Sequence, residues 1–369
     1  TETRKNLIAL RKKKNIDYVI SNSYLRFSDF FKIYILTIYK LFFVWRFCEK
    51  NNNLFFINKT NCGTILKPLI YDSFCGFIQS SLIMSLSLRN FLSKKKIKNF
   101  ITYSEFNPGL RSVYYFVKKL RFKPRITAIH HGYANENLLF FNHRKQEFNL
   151  KNIEGKNCSP MPDQYLVQGN QFKRLLKKYY PKKINIIGCL KYDLEKINKK
   201  RKKRDINKKI NIIIAPSIGD KEDILDYTKR LSVEIKSEIE NYKFFLSPHP
   251  VIKNETIKLF KRGIPSLHFN TSNKSTLELT KKCDILICGF SIVAYEAAII
   301  GVPSIRIVNL KSPILFHMKD EIKKVFNFED FIREIKENKI KPPKREKIIN
   351  HFFFKLDGKS YKRFWKAVR

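Results

Sequence analysis

Asp284–Val308 reads DILICGFSIVAYEAAIIGVPSIRIV. Its four apolar residues Ile285–Cys288 predict a strand. Gly289-Phe290-Ser291 turns the chain, and Ser291 stands where the N-cap of a helix belongs. Gly301 and Pro303 end that helix, and Ser304–Val308 starts the next strand. Continuous apolar strands alternating with helices in this way mean a parallel sheet covered on both faces.

The alternation extends outward on both sides. Ile210–Pro216, Lys243–Ser247 and Ser266–Phe269 predict further strands, with helices over about 222–240, 253–262, 275–282 and 291–300. Nearer the N-terminus, strands are expected at Ile16–Ser21, Asn99–Ser104, Ile126–His130, Gln164–Gln168 and Ile184–Gly188. Helices are expected there at about 27–48, 77–94, 109–120 and 170–179. Lys196–Lys209, KINKKRKKRDINKK, is too charged for a core element and reads as a solvated linker. The expected architecture is α/β, with two Rossmann-like domains facing a cleft. They span 1–195 and 210–340, with a basic linker over 196–209 and a basic helical segment over 341–369. In open α/β sheets ligands bind outside the carboxyl ends of the strands, so polar residues there carry the most information.

Composition bounds the function. The 369 residues are 43% apolar and 14% aromatic, enough to build cores and to exclude disorder. A formal net charge of +42 implies an acidic partner: nucleic acid, anionic lipid or an anionic substrate. Richness in Lys, Ile, Asn and Phe also looks like drift in an A/T-rich genome, although drift does not by itself remove Asp and Glu. Cysteines at 48, 62, 75, 158, 189, 283 and 288 form no C-x-x-C and no Cys/His cluster, and read as reduced thiols of a cytosolic protein. The chain opens on Thr1 with no signal-peptide pattern. One segment, Phe30–Cys48, is apolar enough to suggest a membrane, but Lys32, Lys40 and Arg46 interrupt it and argue against spanning. It is either a buried helix whose polar stripe carries the three cations or a basic, aromatic helix at a bilayer surface.

Three strand ends in the C-terminal half carry groups suited to phosphate. Gly289 allows close backbone approach, the helix start behind it offers N–H groups, and Ser291 adds a hydroxyl. Glu296, a turn and a half further on, can accept hydrogen bonds from ribose. Pro248-His249-Pro250 holds a histidine between two prolines at a strand tip, as a donor aimed at phosphate. Pro216-Ser217-Ile218-Gly219-Asp220 is another Ser/Gly turn before a helix. In the N-terminal half a strand ends in His130-His131-Gly132. One of these histidines is expected in the cleft as general base or oxyanion partner, and at least one is structural. Glu105 ends another strand, and Arg111 opens the helix after it, suited to hold an anion bidentately. An ordinary capped helix at Ser291 and a surface cation at Arg111 are the bland alternatives.

Together these residues resemble a known set. His131-Gly132, then Pro248-His249-Pro250, then the stretch from Asp284 to Pro303 are similar to the GT-B glycosyltransferases of bacterial surface polysaccharides. Two branches come closest: the CMP-sugar-dependent Kdo and sialic acid transferases, and more distantly the CDP-glycerol glycerophosphotransferases of teichoic acid synthesis. Tyr103–Arg111, Tyr165–Gly169 and Ile187–Asp193 also resemble surface-carbohydrate proteins of the Kdo-transferase-like group. The likeness covers roughly 100–308. It departs at Ser291, which follows Phe290 where related enzymes often carry Ser-Ser or Ser-Thr, and no acidic-acidic-Gly base motif is evident.

The resemblance implies a metal-independent transfer of an acidic 2-keto sugar, Kdo-like or sialic-acid-like, from a CMP donor to a lipid-linked surface glycan. His249 and Ser291 would bind the nucleotide phosphate and Glu296 the ribose, with Ser217, Gly219 and Gly289 lining the donor site. Catalysis would fall to His249 and, on the acceptor side, to His131 or Glu105, while Arg111 and His130 would bind the acceptor or its anionic groups. No cofactor or metal is expected, and no D-x-D motif stands in the chain. The expected location is the cytoplasm at the inner membrane, with the excess charge directed at an anionic membrane surface and an acidic glycan and no specific nucleic-acid partner. Two alternatives stay open: polyol-phosphate transfer from a CDP donor, and a basic nucleic-acid-binding protein. The second lacks any helix-turn-helix, RNA-recognition or zinc-finger signature.

Overall fold

Isoleucine and phenylalanine are prominent in the described strands of this chain, and Gly, Pro and Ser stand at many of their ends, as the packing of β-branched and aromatic side chains and turn chemistry favour. A computed structural model describes residues 21–103, 108–130, 160–178, 180, 182–191, 209–272, 274–308, 322–337 and 340–369. Two units are distinguished: Thr1–Ile129 with Gln146–Tyr165, and His130–Lys145 with Leu166–Arg369.

The described part of the first unit runs from a 3-10 turn at Ser21–Tyr24 into α1 (Phe27–Lys50), a short antiparallel pair β1 (Phe56–Ile57) and β2 (Thr60–Asn61), and the long helix α2 (Gly63–Ser93). β3 (Asn99–Tyr103), α3 (Pro108–Lys118) and β4 (Arg125–Ile129) follow, with β3 and β4 in parallel register, Phe100 opposite Ile126. The second half of α2 packs on α3 through a core of Leu92, Val113, Tyr114, Val117, Leu120 and Ile126. Small polar residues let the two helices approach: the Ser85 and Ser112 hydroxyls lie 2.8 Å apart. The apolar periodicity predicts only residues 77–94 of α2, because Pro68 and Gly76 weaken the helical signal of its first half.

β5 (Gln164–Val167), α4 (Asn170–Lys177) and β6 (Lys183–Ile186) come next, and the strand order β3-β4-β5-β6 makes a four-stranded sheet. The second sheet has six strands. They are β7 (Ile210–Ile214), β8 (Tyr242–Leu246), β9 (Phe269–Thr271), β10 (Ile285–Cys288), β11 (Ser304–Ile307) and β12 (Lys323–Val325), in the order β12-β11-β10-β7-β8-β9. Every neighbouring pair in it is parallel. Helices α5 (Lys221–Glu234), α6 (Lys253–Gly263), α7 (Thr276–Thr280), α8 (Val293–Ile300) and α9 (Phe328–Glu337) connect or follow these strands. Ile212, Ile214, Ile285, Ile287, Ile305 and Ile307 are buried in one core with Leu231, Phe260 and Phe331. Each such side chain contributes about 1.5–3 kcal/mol by leaving water. α8 ends at Gly301, whose φ of 83° is left-handed. The amides of Gly301 and Val302 donate to the carbonyls of Ala298 and Ala297, a double closure that favours glycine at the helix end.

The chain finishes with α10 (Arg345–Ile348), a π-turn over Ile349–Phe353 and α11 (Ser360–Val368). This segment lies on α4 and on the end of β6. Asn170 Nδ2 donates to the Asn350 carbonyl at 3.0 Å, and Arg363 Nε to the Ile187 carbonyl at 2.8 Å. A Cβ at Gly169 would come within 2.5 Å of the Phe352 backbone, so glycine there is a packing requirement. The Phe352 ring stacks on Tyr295 of α8 at 3.9 Å. Ile16–Ile20 of the first expected strand and Lys196–Lys208 of the expected linker lie outside the described residues. β12 is too short and lysine-rich to signal itself in the sequence.

Candidate functional site

The order of the six-stranded sheet fixes where a ligand belongs. From β7 the chain moves to β8 and β9 on one side, then returns to β10 and β11 on the other. The order therefore reverses between β7 and β10, and the crevice at their carboxyl ends is the switch point at which such sheets bind ligands. The β7, β8 and β10 tips are neighbours there. Ala215 N donates to the Ile287 carbonyl and Ser247 N to the Ile214 carbonyl, both at 2.9 Å. His249 N reaches the Pro216 carbonyl, also at 2.9 Å. The three turns singled out in the sequence, 216–220, 248–250 and 289–291, thus converge on one edge.

Asp220 ties two of these turns together, a role the sequence does not announce. Its carboxylate accepts from Ser217 N at 2.6 Å, Ser217 Oγ at 2.7 Å and, across the crevice, Phe290 N at 2.8 Å. Donors expected to cradle phosphate therefore already converge on an internal anion. The same contact explains Gly289: a Cβ there would meet Asp220 Oδ2 at 2.5 Å. Gly219 differs, since a Cβ at that position would meet nothing within 4 Å. Arg306 on β11, fully buried, supports the loop from below. Its Nη1 donates to the Gly289 and Ser291 carbonyls at 2.5 and 3.0 Å, and its guanidinium lies 5.1 Å from the Tyr295 ring. An arginine inside the apolar run SIRIV was the available signal, because a buried charge requires partners.

His249 is exposed at the β8 tip. Its Nδ1 accepts from Val251 N at 3.3 Å, which leaves the proton of the neutral ring on Nε2 and makes that nitrogen a donor. Ser291 is half-buried before α8, and its Oγ accepts from Val293 N at 3.3 Å. Glu296 sits in α8 at 2% exposure and accepts from Lys191 Nζ at 2.9 Å. That pairing sets a cation beside the group expected to hold ribose. Ser247 Oγ lies 2.9 Å from Thr276 Oγ1, fixing the loop that carries His249 to the start of α7.

The N-terminal expectations fare differently. His130 is a core group: it is 1% exposed and its ring lies 4.0 Å from Phe172. It is thus the structural member of its histidine pair in packing. Arg111 is half-buried in the first turn of α3. Glu105 and His131 lie outside the described residues. Among the described residues no group of three His, Cys, Asp or Glu side chains comes together, and the six described cysteines are unbridged.

No protein-family model matches the chain. No curated protein matches it at a significant level. Solved structures do match. A UDP-GlcNAc 2-epimerase from Neisseria meningitidis is similar at 14% identity, over 79% of this chain and 81% of that one, with a TM-score of 0.50. A putative UDP-N-acetylglucosamine 2-epimerase from Listeria monocytogenes is similar at 12% identity, over 80% and 85%, with a TM-score of 0.52. The fold is therefore that of the GT-B type, two parallel-sheet α/β domains.

Proposed function

We propose that this chain transfers an acidic 2-keto sugar from a CMP-activated donor to a lipid-linked surface glycan. The observation that carries the reading is the convergence of the Ser217, His249 and Ser291 turns at the switch point of the six-stranded sheet. In this reading the start of α8 and Ser291 hold the single phosphate of CMP, and His249 donates to it from Nε2. The acceptor hydroxyl gives its proton to a base, Glu105 or His131, as its oxygen attacks the anomeric carbon. The bond from that carbon to the phosphate oxygen breaks, and the negative charge collects on departing CMP. Preorganised donors lower the barrier because they face the charge as it develops. Lys191, paired with Glu296, adds a positive group beside the ribose subsite. Ser217, Gly219 and Gly289 shape the donor site, and Arg111 anchors an anionic group of the acceptor.

Thermal denaturation with CMP, CDP and UDP tests the reading. CMP at about 100 times its dissociation constant should stabilise the protein by about 2.7 kcal/mol and raise the melting temperature. A rise with CDP and none with CMP would transfer the proposal to polyol-phosphate chemistry. A rise with UDP alone would align the chain with the nucleotide named for its fold neighbours, and no rise with any of them would sink the nucleotide site.

A further inference from the structure

Helix α1 has its polarity turned inside out. Its buried stripe is narrow and includes an aspartate: Asp29, Ile33, Thr37 and Cys48. Asp29 accepts from Asn90 Nδ2 of α2 at 2.7 Å and from Arg26 N at 2.8 Å. The outward side is aromatic. At 3.6 residues per turn Phe27, Phe31, Tyr34, Ile38, Phe42 and Trp45 fall on one stripe, and each is at least 50% exposed. Lys32, Arg46 and Lys50 run along one edge of that stripe. α2 also buries small polar residues in its second half, Ser81, Ser85, Ser87 and Asn90 beside Leu86 and Leu92, and exposes Ile65, Leu69, Phe74 and Phe77 in its first half.

Small and polar residues between helices, with apolar ones outside, is the packing of helices in lipid. A contiguous exposed stripe of this kind is far from the scattered apolar residues normal in water. Spanning does not fit. α1 carries Lys32, Lys40 and Arg46 along its length, Lys40 near its middle. α2 is long and apolar enough to cross a membrane, but its second half belongs to the core with α3.

We propose that α1 lies in the plane of an anionic bilayer, its aromatic stripe at the headgroup–acyl boundary and Lys32, Arg46 and Lys50 against lipid phosphates. The proposal is independent of the strand-tip site. Charge selects lipid over a second copy, because the Lys32, Arg46 and Lys50 edge complements lipid phosphates, whereas a second copy of a protein of net charge +42 brings charge of the same sign.

The chain has two tryptophans, so Trp365→Phe leaves Trp45 as the reporter. The full chain is floated with phosphatidylcholine vesicles and with vesicles of phosphatidylcholine and phosphatidylglycerol in equal parts. The expected result is flotation with the anionic vesicles and a blue shift of Trp45 emission. Lys32→Gln, Arg46→Gln and Lys50→Gln together should weaken binding about 100-fold. Phe31→Ser with Phe42→Ser should abolish flotation at an unchanged melting temperature. Three results would overturn the proposal: no flotation with either vesicle, flotation indifferent to lipid charge, or a lipid-free dimer that Phe31→Ser with Phe42→Ser dissociates.

Discussion

Asp220 is the residue that organises the site, through a carboxylate shared between the Ser217 turn and the Phe290 amide. The sequence shows Ser217, Gly219, Gly289 and Ser291 as polar or small residues at strand ends, and that much was legible. The carboxylate that draws Ser217 and Phe290 together was not, because its partners are backbone amides brought near only by the fold. Gly289→Ala should therefore destabilise by about 1–3 kcal/mol, measured by urea unfolding, since the new methyl meets Asp220. Gly219→Ala should leave the unfolding midpoint in place, as its methyl meets nothing. His249→Ala should lower kcat by about 100- to 1,000-fold at an unchanged melting temperature, the effect of removing one preorganised donor from an exposed position. A folded His249→Ala protein with wild-type turnover would remove His249 from the mechanism.

Beside Asp220, two elements support the site. β11 does so through Arg306, and Arg306→Leu should cost about 2–4 kcal/mol by leaving the Gly289 and Ser291 carbonyls without a charged donor. Arg306→Lys should recover part of it, since both bonds come from the single Nη1 nitrogen and an ammonium can donate to two carbonyls. The C-terminal segment packs Phe352 on Tyr295 of α8 and sets His351 against Arg174 of α4. Arg174 Nη2 lies 2.9 Å from His351 Nδ1, an arrangement that needs the neutral ring. Burial, and then the Arg174 charge, hold the His351 pKa below its ordinary 6.5. The unfolded chain therefore binds a proton that the folded one releases. Stability should rise with pH through the window below about 6.5 and fall on acidification. His351→Gln should shrink the difference between urea midpoints measured at neutral and mildly acidic pH. The sequence showed a basic C-terminal helical stretch, but its docking on Gly169 depends on a glycine whose only sequence trace is its place after a strand.

Over the whole molecule, the parallel α/β architecture was legible because buried strands and covering helices leave different periods in the apolar pattern. α1 was not. A helix that is apolar on nearly every side does not disclose which side faces protein, and one of the two readings, a buried helix with a polar cationic stripe, gives way to a buried stripe holding Asp29 and an exposed aromatic face. The excess charge likewise has no single address in the sequence, whereas on the folded chain part of it borders that face. A crystal structure of the protein soaked with CMP would show whether a nucleotide phosphate sits at the switch point of the six-stranded sheet. The phosphate is expected about 2.7–3.2 Å from His249 Nε2 and from a donor at Ser291 or the start of α8. CMP bound elsewhere, or with its phosphate turned away from His249, would contradict it.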